Sequence, residues 1–167
     1  MSGWFRVVVQ WVRGGLVAGL VAAGVVVQGA SPGVAADAGQ AEADLAYHGA
    51  ALMSAGRVDV RFVPRNHGPA DVSDATVRLT WSAPLADRQE LPAGCARSGE
   101  RVLLCRTGAL AAGDVGQAVG LRVWLREAPT EVLMEFDTVW GGGAVDRNRD
   151  NDRQRVLVLD TGDTYYF

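Results

Sequence analysis

The chain has 167 residues, 49% of them hydrophobic and 21% charged, with 16 basic against 19 acidic side chains. This length fits one domain with a short appendage. The apolar fraction is ample for a core, so the composition excludes a disordered chain. The small negative net charge excludes binding to nucleic acid or to anionic lipid by bulk charge.

Residues 1–36 have the pattern of a secretory signal peptide. Arg6 and Arg13 precede an uncharged run of Gly, Leu, Val and Ala from Gly14 to Val27, and the small residues Val34-Ala35-Ala36 follow. A basic segment, an apolar segment of about 7–15 residues and an A-x-A-like site predict export with cleavage after Ala36. The run is shorter than the 18–20 or so apolar residues of a spanning helix. Retention of the segment as an anchor is the alternative.

Removing residues 1–36 takes away two arginines and no acid, which leaves 14 basic and 19 acidic side chains and a net charge of −5. The sequence shows no second long hydrophobic segment and no C-terminal sorting motif. We therefore expect a secreted protein that is either released or held at the cell wall by noncovalent contacts. No membrane attachment is expected after signal removal.

The remaining chain reads as a flexible leader, residues 37–42, followed by one β-domain, residues 43–160, and a C-terminal tail, residues 161–167. Apolar and polar residues alternate in several short segments separated by turn residues, which is the period of a strand with one buried face. The predicted strands are 57–65, 75–81, 101–106, 117–126, 130–140 and 154–160. For residues 43–53 the sequence favours a strand but leaves a helix open. About seven to eight strands with no convincing helix between them predict an antiparallel, immunoglobulin-like β-sandwich.

Both cysteines lie in one stretch. Cys95 and Cys105 are ten positions apart across a Ser-Gly turn, which predicts a β-hairpin. Two cysteines in an exported chain are expected to pair. A disulfide closing so short a loop stabilises by roughly 3 kcal/mol, and two cysteines are too few for a Cys-rich metal site. We expect a structural brace.

The order of several short motifs resembles a known family. Asn66-His67-Gly68-Pro69 is followed by a Val-rich strand, then Leu-Pro-Ala-Gly-Cys at 91–95, Val-Leu-Leu-Cys at 102–105 and Leu-Ala-Ala-Gly at 110–113. An Asp/Asn-rich loop precedes the last strand. This order is similar to that of the bacterial surface-repeat family called domain of unknown function eleven, over about residues 43–160. The resemblance implies an immunoglobulin-like sandwich with an adhesive, spacer or display role and no catalytic residues.

The acidic loop is a candidate calcium site. It places Asp146, Asn148, Asp150 and Asp152 at alternate positions, and Ca²⁺ takes about six to eight oxygen ligands. The loop departs from an EF-hand, whose sixth position is Gly and whose twelfth is Glu, and arginines alternate with its acids. The alternative is a solvated turn whose Asp and Asn side chains cap their own backbone.

Trp124 is a candidate ligand contact. It lies on the strand face opposite Leu121, Val123 and Leu125, between Arg122 and Arg126. An exposed Trp in that setting can stack on a sugar ring or on a partner's aromatic group. The alternatives are an edge covered by a loop and a second buried face. Likewise, the C-terminal Tyr165-Tyr166-Phe167 either packs on the sheet or offers a contact surface.

The sequence contains no Gly-x-Ser-x-Gly elbow, and His48 and His67 have no recognisable ligand spacing. We expect a secreted, noncatalytic surface, adhesive or binding module whose partner is a protein or a cell-wall polysaccharide. The alternative is a calcium-dependent exported factor or enzyme built on the loop from Asp146 to Asp152.

Overall fold

The structure is a computed structural model and describes residues 39–167. Within that range every regular element is a strand. The strands are β1 (Glu42–Ala43), β2 (Leu45–Ser54), β3 (Arg57–Asn66), β4 (Thr76–Trp81), β5 (Cys95–Arg97), β6 (Val102–Arg106), β7 (Val119–Trp124), β8 (Glu131–Trp140), β9 (Val145–Asp146), β10 (Arg153–Leu159) and β11 (Thr164–Tyr166). The expected signal peptide, residues 1–36, lies outside the described residues. The described part contains no helix long and apolar enough to cross a membrane.

Nine strands form two antiparallel sheets. The five-stranded sheet has the order β10-β8-β4-β6-β5, and the four-stranded sheet has the order β11-β2-β3-β7. In an immunoglobulin-like sandwich, strands A, B and E lie side by side in one sheet and strands G, F and C lie side by side in the other. Here β2, β3 and β7 correspond to A, B and E, and β10, β8 and β4 correspond to G, F and C. The predicted fold class is confirmed. The short strands β1 and β9 add a separate parallel pair.

The core lies between the two sheets and follows the predicted alternation. Val58, Val60 and Phe62 of β3 are buried, whereas the residues between them face outward. The ring of Phe62 packs edge-on against that of Tyr47 from β2 and that of Phe136 from β8, with centroids 5.9 and 5.4 Å apart. Edge-to-face pairs of this kind stabilise beyond the area they bury. Residues 45–54 form a strand, because their buried positions pair with β3 along its whole length.

The two ends of the expected domain differ from the sequence prediction. Residues 161–167 do not form a tail: β11 pairs with β2, and the backbones of Phe167 and Gly49 exchange two hydrogen bonds. At the other end, Glu42 of the expected flexible leader belongs to β1 and pairs with Val145. Both differences have the same cause. The edges of β2 and of β9 offer unpaired backbone groups, and pairing them satisfies groups that would otherwise be orphaned.

Asn66 ties the loops at one end of the sandwich together. Its side chain is fully buried. The amide nitrogen Nδ2 donates to the carbonyl of Ala70 over 2.8 Å, with longer contacts to two carbonyls at 110 and 111. The oxygen Oδ1 accepts from the backbone N–H groups of Gly68 and Asp44. The Asn-His-Gly-Pro turn predicted from sequence is therefore anchored by a buried amide with several backbone partners.

The edge of β7 is covered by the connection after β4. The backbone N–H of Ala86 donates to the carbonyl of Trp124. The side chain of Gln89 accepts from the N–H of Trp124 over 3.0 Å and donates to its carbonyl over 2.7 Å. Unpaired edge strands invite pairing with another chain, and this connection occupies the exposed end of β7.

Candidate functional site

Strand register brings Trp124 and Arg122 of β7 beside β3. Trp124 pairs with Arg57, and Arg122 pairs with Asp59. All four side chains lie on the outer face of the four-stranded sheet, because the residues that alternate with them are buried in the core. The indole of Trp124 is 46% exposed. The ring is therefore available for contact, although its backbone is covered by the connection described above.

Asp59 holds two guanidinium groups on this face. Its carboxylate accepts from Nε of Arg57 over 3.0 Å and from Nε of Arg122 over 2.6 Å. The guanidinium carbon of Arg57 lies 6.0 Å from the centre of the Trp124 ring, at the outer limit of a cation–π contact. One carboxylate thus fixes two cations next to an exposed aromatic ring.

Arg61 lies between two adjoining hollows on the outer face of the four-stranded sheet. In the register it lies between Ala50 of β2 and Gly120 of β7, whose small size leaves a hollow of about 410 Å³. A second hollow of about 360 Å³ continues toward Tyr166, and Ala50 and Arg61 line both. Among the described residues, the Arg61 guanidinium has no ion pair. We call the two hollows together the trough; its outward-facing side chains are His48, Ala50, Leu52, Asp59, Arg61, Arg122, Thr164 and Tyr166.

The outer face of the five-stranded sheet has matched charges instead. Asp137 of β8 is contacted by Arg78 and Arg153 from the two neighbouring strands and by Arg149. On the same face, Glu135 pairs with the guanidinium of Arg155 over 2.7 Å. The arginines named on this face are therefore paired with carboxylates, whereas Arg61 in the trough is unpaired.

Arg126, the third residue of the predicted contact, does not join the trough. Its guanidinium lies 3.5 Å from a carboxylate oxygen of Asp87 and 3.7 Å from one of Glu100. The strand β7 ends at Trp124, and the backbone N–H of Arg126 donates to the carbonyl of Pro84. Burial still alternates as far as residue 126, but the pairing of β7 with β3 ends at Trp124, so Arg126 contacts the connection after β4 and not the trough.

The acidic loop does not assemble the predicted calcium ligands. The carboxylate of Asp146 accepts from the backbone N–H groups of Leu45 and Asn148, and Asp150 is exposed. The amide of Asn148 donates to Asp44. Among residues 39–167 no three His, Cys, Asp or Glu side chains are placed to hold a metal ion. Of these acids, Asp146 caps the backbone of its own turn through the N–H of Asn148, in the manner of the capping alternative.

Asp152 differs from the other acids of the loop because its side chain has no exposed surface. Nη1 of Arg149 lies 2.8 Å from its Oδ2, and neither carboxylate oxygen receives a well-directed hydrogen bond. Burial raises the pKa of Asp152 to about 6, and Arg149 opposes that rise. The same burial raises the pKa of the neighbouring Tyr47, which hydrogen-bonds to Thr138. This cluster couples the loop to the core.

The disulfide is present where the sequence predicted it. Cys95 and Cys105 lie directly opposite each other in the β5–β6 hairpin, with their Cα atoms 4.0 Å apart. The hairpin forms the outer edge of the five-stranded sheet. The bridge therefore braces an edge and does not face the trough.

Sequence reasoning missed Arg61 and Tyr166 as neighbours. Alternation places Arg61 on the outer face of its strand, and an isolated glycine at 120 indicates a close approach or a gap. Neither signal shows which strands lie side by side. Tyr166 falls in the expected tail, but in the structure it belongs to β11 and lies beside Ala50 at the end of the trough, where it is 83% exposed.

Comparisons with known proteins give little further guidance. No protein-family model matches the chain, and no curated protein matches it. Among solved structures, the chain is similar to part of beta-glucosidase 3B from Thermotoga neapolitana in complex with alpha-D-glucose. The two share 13% identity at a TM-score of 0.44, over 75% of this chain and 17% of that one. The chain thus spans less than a fifth of the length of that enzyme.

Proposed function

We propose that the protein is an exported, noncatalytic binding module that contacts its partner through the trough and the adjoining Trp124. The partner is a cell-wall polysaccharide or a surface protein. One observation carries the proposal: the exposed rings of Trp124 and Tyr166 and the unpaired guanidinium of Arg61 lie on the outer face of one sheet, while the arginines on the outer face of the other sheet are paired with carboxylates. Exposed aromatics and arginines are enriched at recognition surfaces.

Export rests on two independent features. The N-terminal 36 residues have the charge and hydrophobicity pattern of a signal peptide. The Cys95–Cys105 disulfide belongs to an oxidising compartment. N-terminal sequencing of protein recovered from the culture medium should begin at Asp37. Protein that stays cell-bound with Met1 intact would instead support an uncleaved anchor.

The chemistry of the trough supports binding without catalysis. Its one carboxylate, Asp59, is engaged by two guanidinium groups. Its remaining polar groups are Arg61, the hydroxyls of Thr164 and Tyr166, and His48. These groups donate hydrogen bonds and attract anions, but they do not pair an activated nucleophile with a base. A display or adhesive role agrees with what the resemblance to the surface-repeat family implies.

The proposal is tested by binding of the full chain to purified cell wall and to immobilised surface proteins. We expect Trp124→Ala to reduce recovery on one of the two. Trp140→Ala is the matched control, because Trp140 is similarly exposed, at 49%, but lies on the other sheet. Equal recovery of wild type and Trp124→Ala on both matrices would contradict the proposed face.

A further inference from the structure

We propose that the trough binds a polysaccharide of uronic acids, with Arg61 as the central contact for a sugar carboxylate. This inference rests on the proposed binding function and names its ligand class. It is carried by the charge, the free hydrogen-bond donors and the aromatic rings of the face.

The charge of the face opposes that of the protein. Without residues 1–36 the chain has a net charge of −5, which repels a polyanion at long range. The outer face between Trp124 and Tyr166, however, contains Arg57, Arg61 and Arg122 against the single acid Asp59. At physiological salt, exposed charges are screened beyond about 8 Å. A bound anion therefore experiences chiefly this local positive cluster.

The guanidinium groups of this face keep N–H donors that are available to a ligand. Asp59 accepts from the Nε of Arg57 and from the Nε of Arg122, and no acceptor among residues 39–167 contacts their Nη groups. Arg61 has no recorded acceptor at all within the described residues. Arginine binds carboxylates through two parallel N–H groups. Asp59 thus orients two of the cations without using up their capacity to bind an anion.

The aromatic rings select a ligand that contains sugar rings. Trp124 lies on β7 and Tyr166 on β11, three strand spacings and four residue steps apart, a diagonal of about 20 Å. That span exceeds a single sugar. The apolar faces of sugar rings stack on Trp and Tyr, so a phosphate polymer without rings would leave both aromatics unused. A neutral glucan would leave the guanidinium groups unused.

The binding experiment compares two forms of one polymer. Full-length protein is titrated with polygalacturonate and with the same polymer methyl-esterified, which keeps the sugar backbone and removes the charge. We expect the wild type to bind the acidic form at least about tenfold more tightly, since each charge-assisted contact contributes on that order. Raising the salt concentration should weaken this binding.

Variants locate the binding in the trough. Arg61→Gln should weaken binding to polygalacturonate about tenfold. Gly120→Leu should weaken it as well by filling the hollow, because a Cβ at Gly120 meets no atom within 4 Å and the fold tolerates the change. Arg147→Gln is the control: it removes the same charge from an exposed loop position outside the trough. Near-UV circular dichroism of each variant verifies that it is folded.

Equal affinity for the two polymer forms would overturn the inference. So would equal loss of affinity in Arg61→Gln and Arg147→Gln, because that result indicates attraction to any polyanion, and dextran sulfate should then bind equally well. Trp124-dependent binding to cell wall or to surface protein, without binding to polygalacturonate, would overturn the uronate assignment and leave the proposed function in place. Absence of both activities would overturn both.

Discussion

The ring of Phe167, the last residue of the chain, lies over Gly49 in the middle of β2. A Cβ built on Gly49 would collide with the backbone of β3, at the carbonyl oxygen of Arg61 and the Cα of Phe62, and would also come within 2.9 Å of the Cζ of Phe167. The backbones of these two residues exchange hydrogen bonds of 2.9 and 3.0 Å. The Phe167 ring then contacts Phe136 with centroids 4.8 Å apart. The close backbone of β3 therefore requires glycine at position 49, and the C-terminal ring packs over this glycine and onto the core.

This relationship predicts that Phe167 contributes to stability. Phe167→Ala should lower the free energy of unfolding by about 2 kcal/mol, less than the 3–5 kcal/mol or so of a fully buried Phe because the ring is half-buried. Urea unfolding of the full chain measures the change. Tyr166→Ala is the control and should shift stability by less than about 0.5 kcal/mol, since its side chain is 83% exposed. A Phe167→Ala variant as stable as the wild type would show that the C-terminal ring does not stabilise the fold.

Replacing both cysteines by alanine should lower the free energy of unfolding by roughly 3 kcal/mol, because the bridge restricts the unfolded chain. Cys105 is also fully buried, so part of the loss comes from packing in the core. Unfolding of the oxidised and reduced wild-type protein separates the two contributions. An identical unfolding midpoint in both redox states would show that the bridge does not stabilise the fold.

Stability should fall as the pH rises through the range in which Asp152 ionises. The pKa of its carboxyl is about 6 in the folded protein, against 3.8 for an unperturbed Asp. The folded state therefore binds more protons than the unfolded state between about pH 4 and pH 6, and this contribution, up to about 3 kcal/mol, is lost by about pH 7. Asp152→Asn should remove this part of the pH dependence while Arg149 keeps its contact with Asp137.

Urea unfolding at several pH values tests this expectation. The difference in unfolding free energy between wild type and Asp152→Asn should shift in favour of the variant on going from about pH 4 to about pH 7. Asp150→Asn is the control, because Asp150 is an exposed acid of the same loop. A constant difference across the range would show that Asp152 is not titrating with a raised pKa.

Gln89→Ala should open the edge of β7. It removes two side-chain hydrogen bonds to the backbone of Trp124, at a cost of about 1–2 kcal/mol. The uncovered backbone groups should also promote self-association, which sedimentation velocity measures. Arg88→Ala is the control, since its side chain is exposed and makes no hydrogen bond within the described part of the chain. Unchanged stability and a monomeric Gln89→Ala would contradict the role of this residue.

Local patterns account for what sequence reasoning predicted correctly. The alternation in 57–65 and 130–140 depends only on the two-residue period of a strand, so strands and buried faces could be assigned directly. The Cys95–Cys105 disulfide could be predicted because both cysteines lie in one short hairpin. The role of the acidic loop was harder to predict, because its side-chain oxygens can bind either a cation or backbone N–H groups. The role of Asp146 depends on Leu45, about a hundred residues away in the chain, whose backbone N–H donates to the Asp146 carboxylate.

By itself, the sequence determined the β class, the buried face of each strand and the disulfide, because these follow from neighbours a few residues apart. Only the tertiary structure decided which outward-facing residues meet. Register and sheet order place Arg61 between Ala50 and Gly120, and they turn the expected tail into the strand that brings Tyr166 to the same face. These pairings come from long-range backbone hydrogen bonds and a shared core, which no local period encodes.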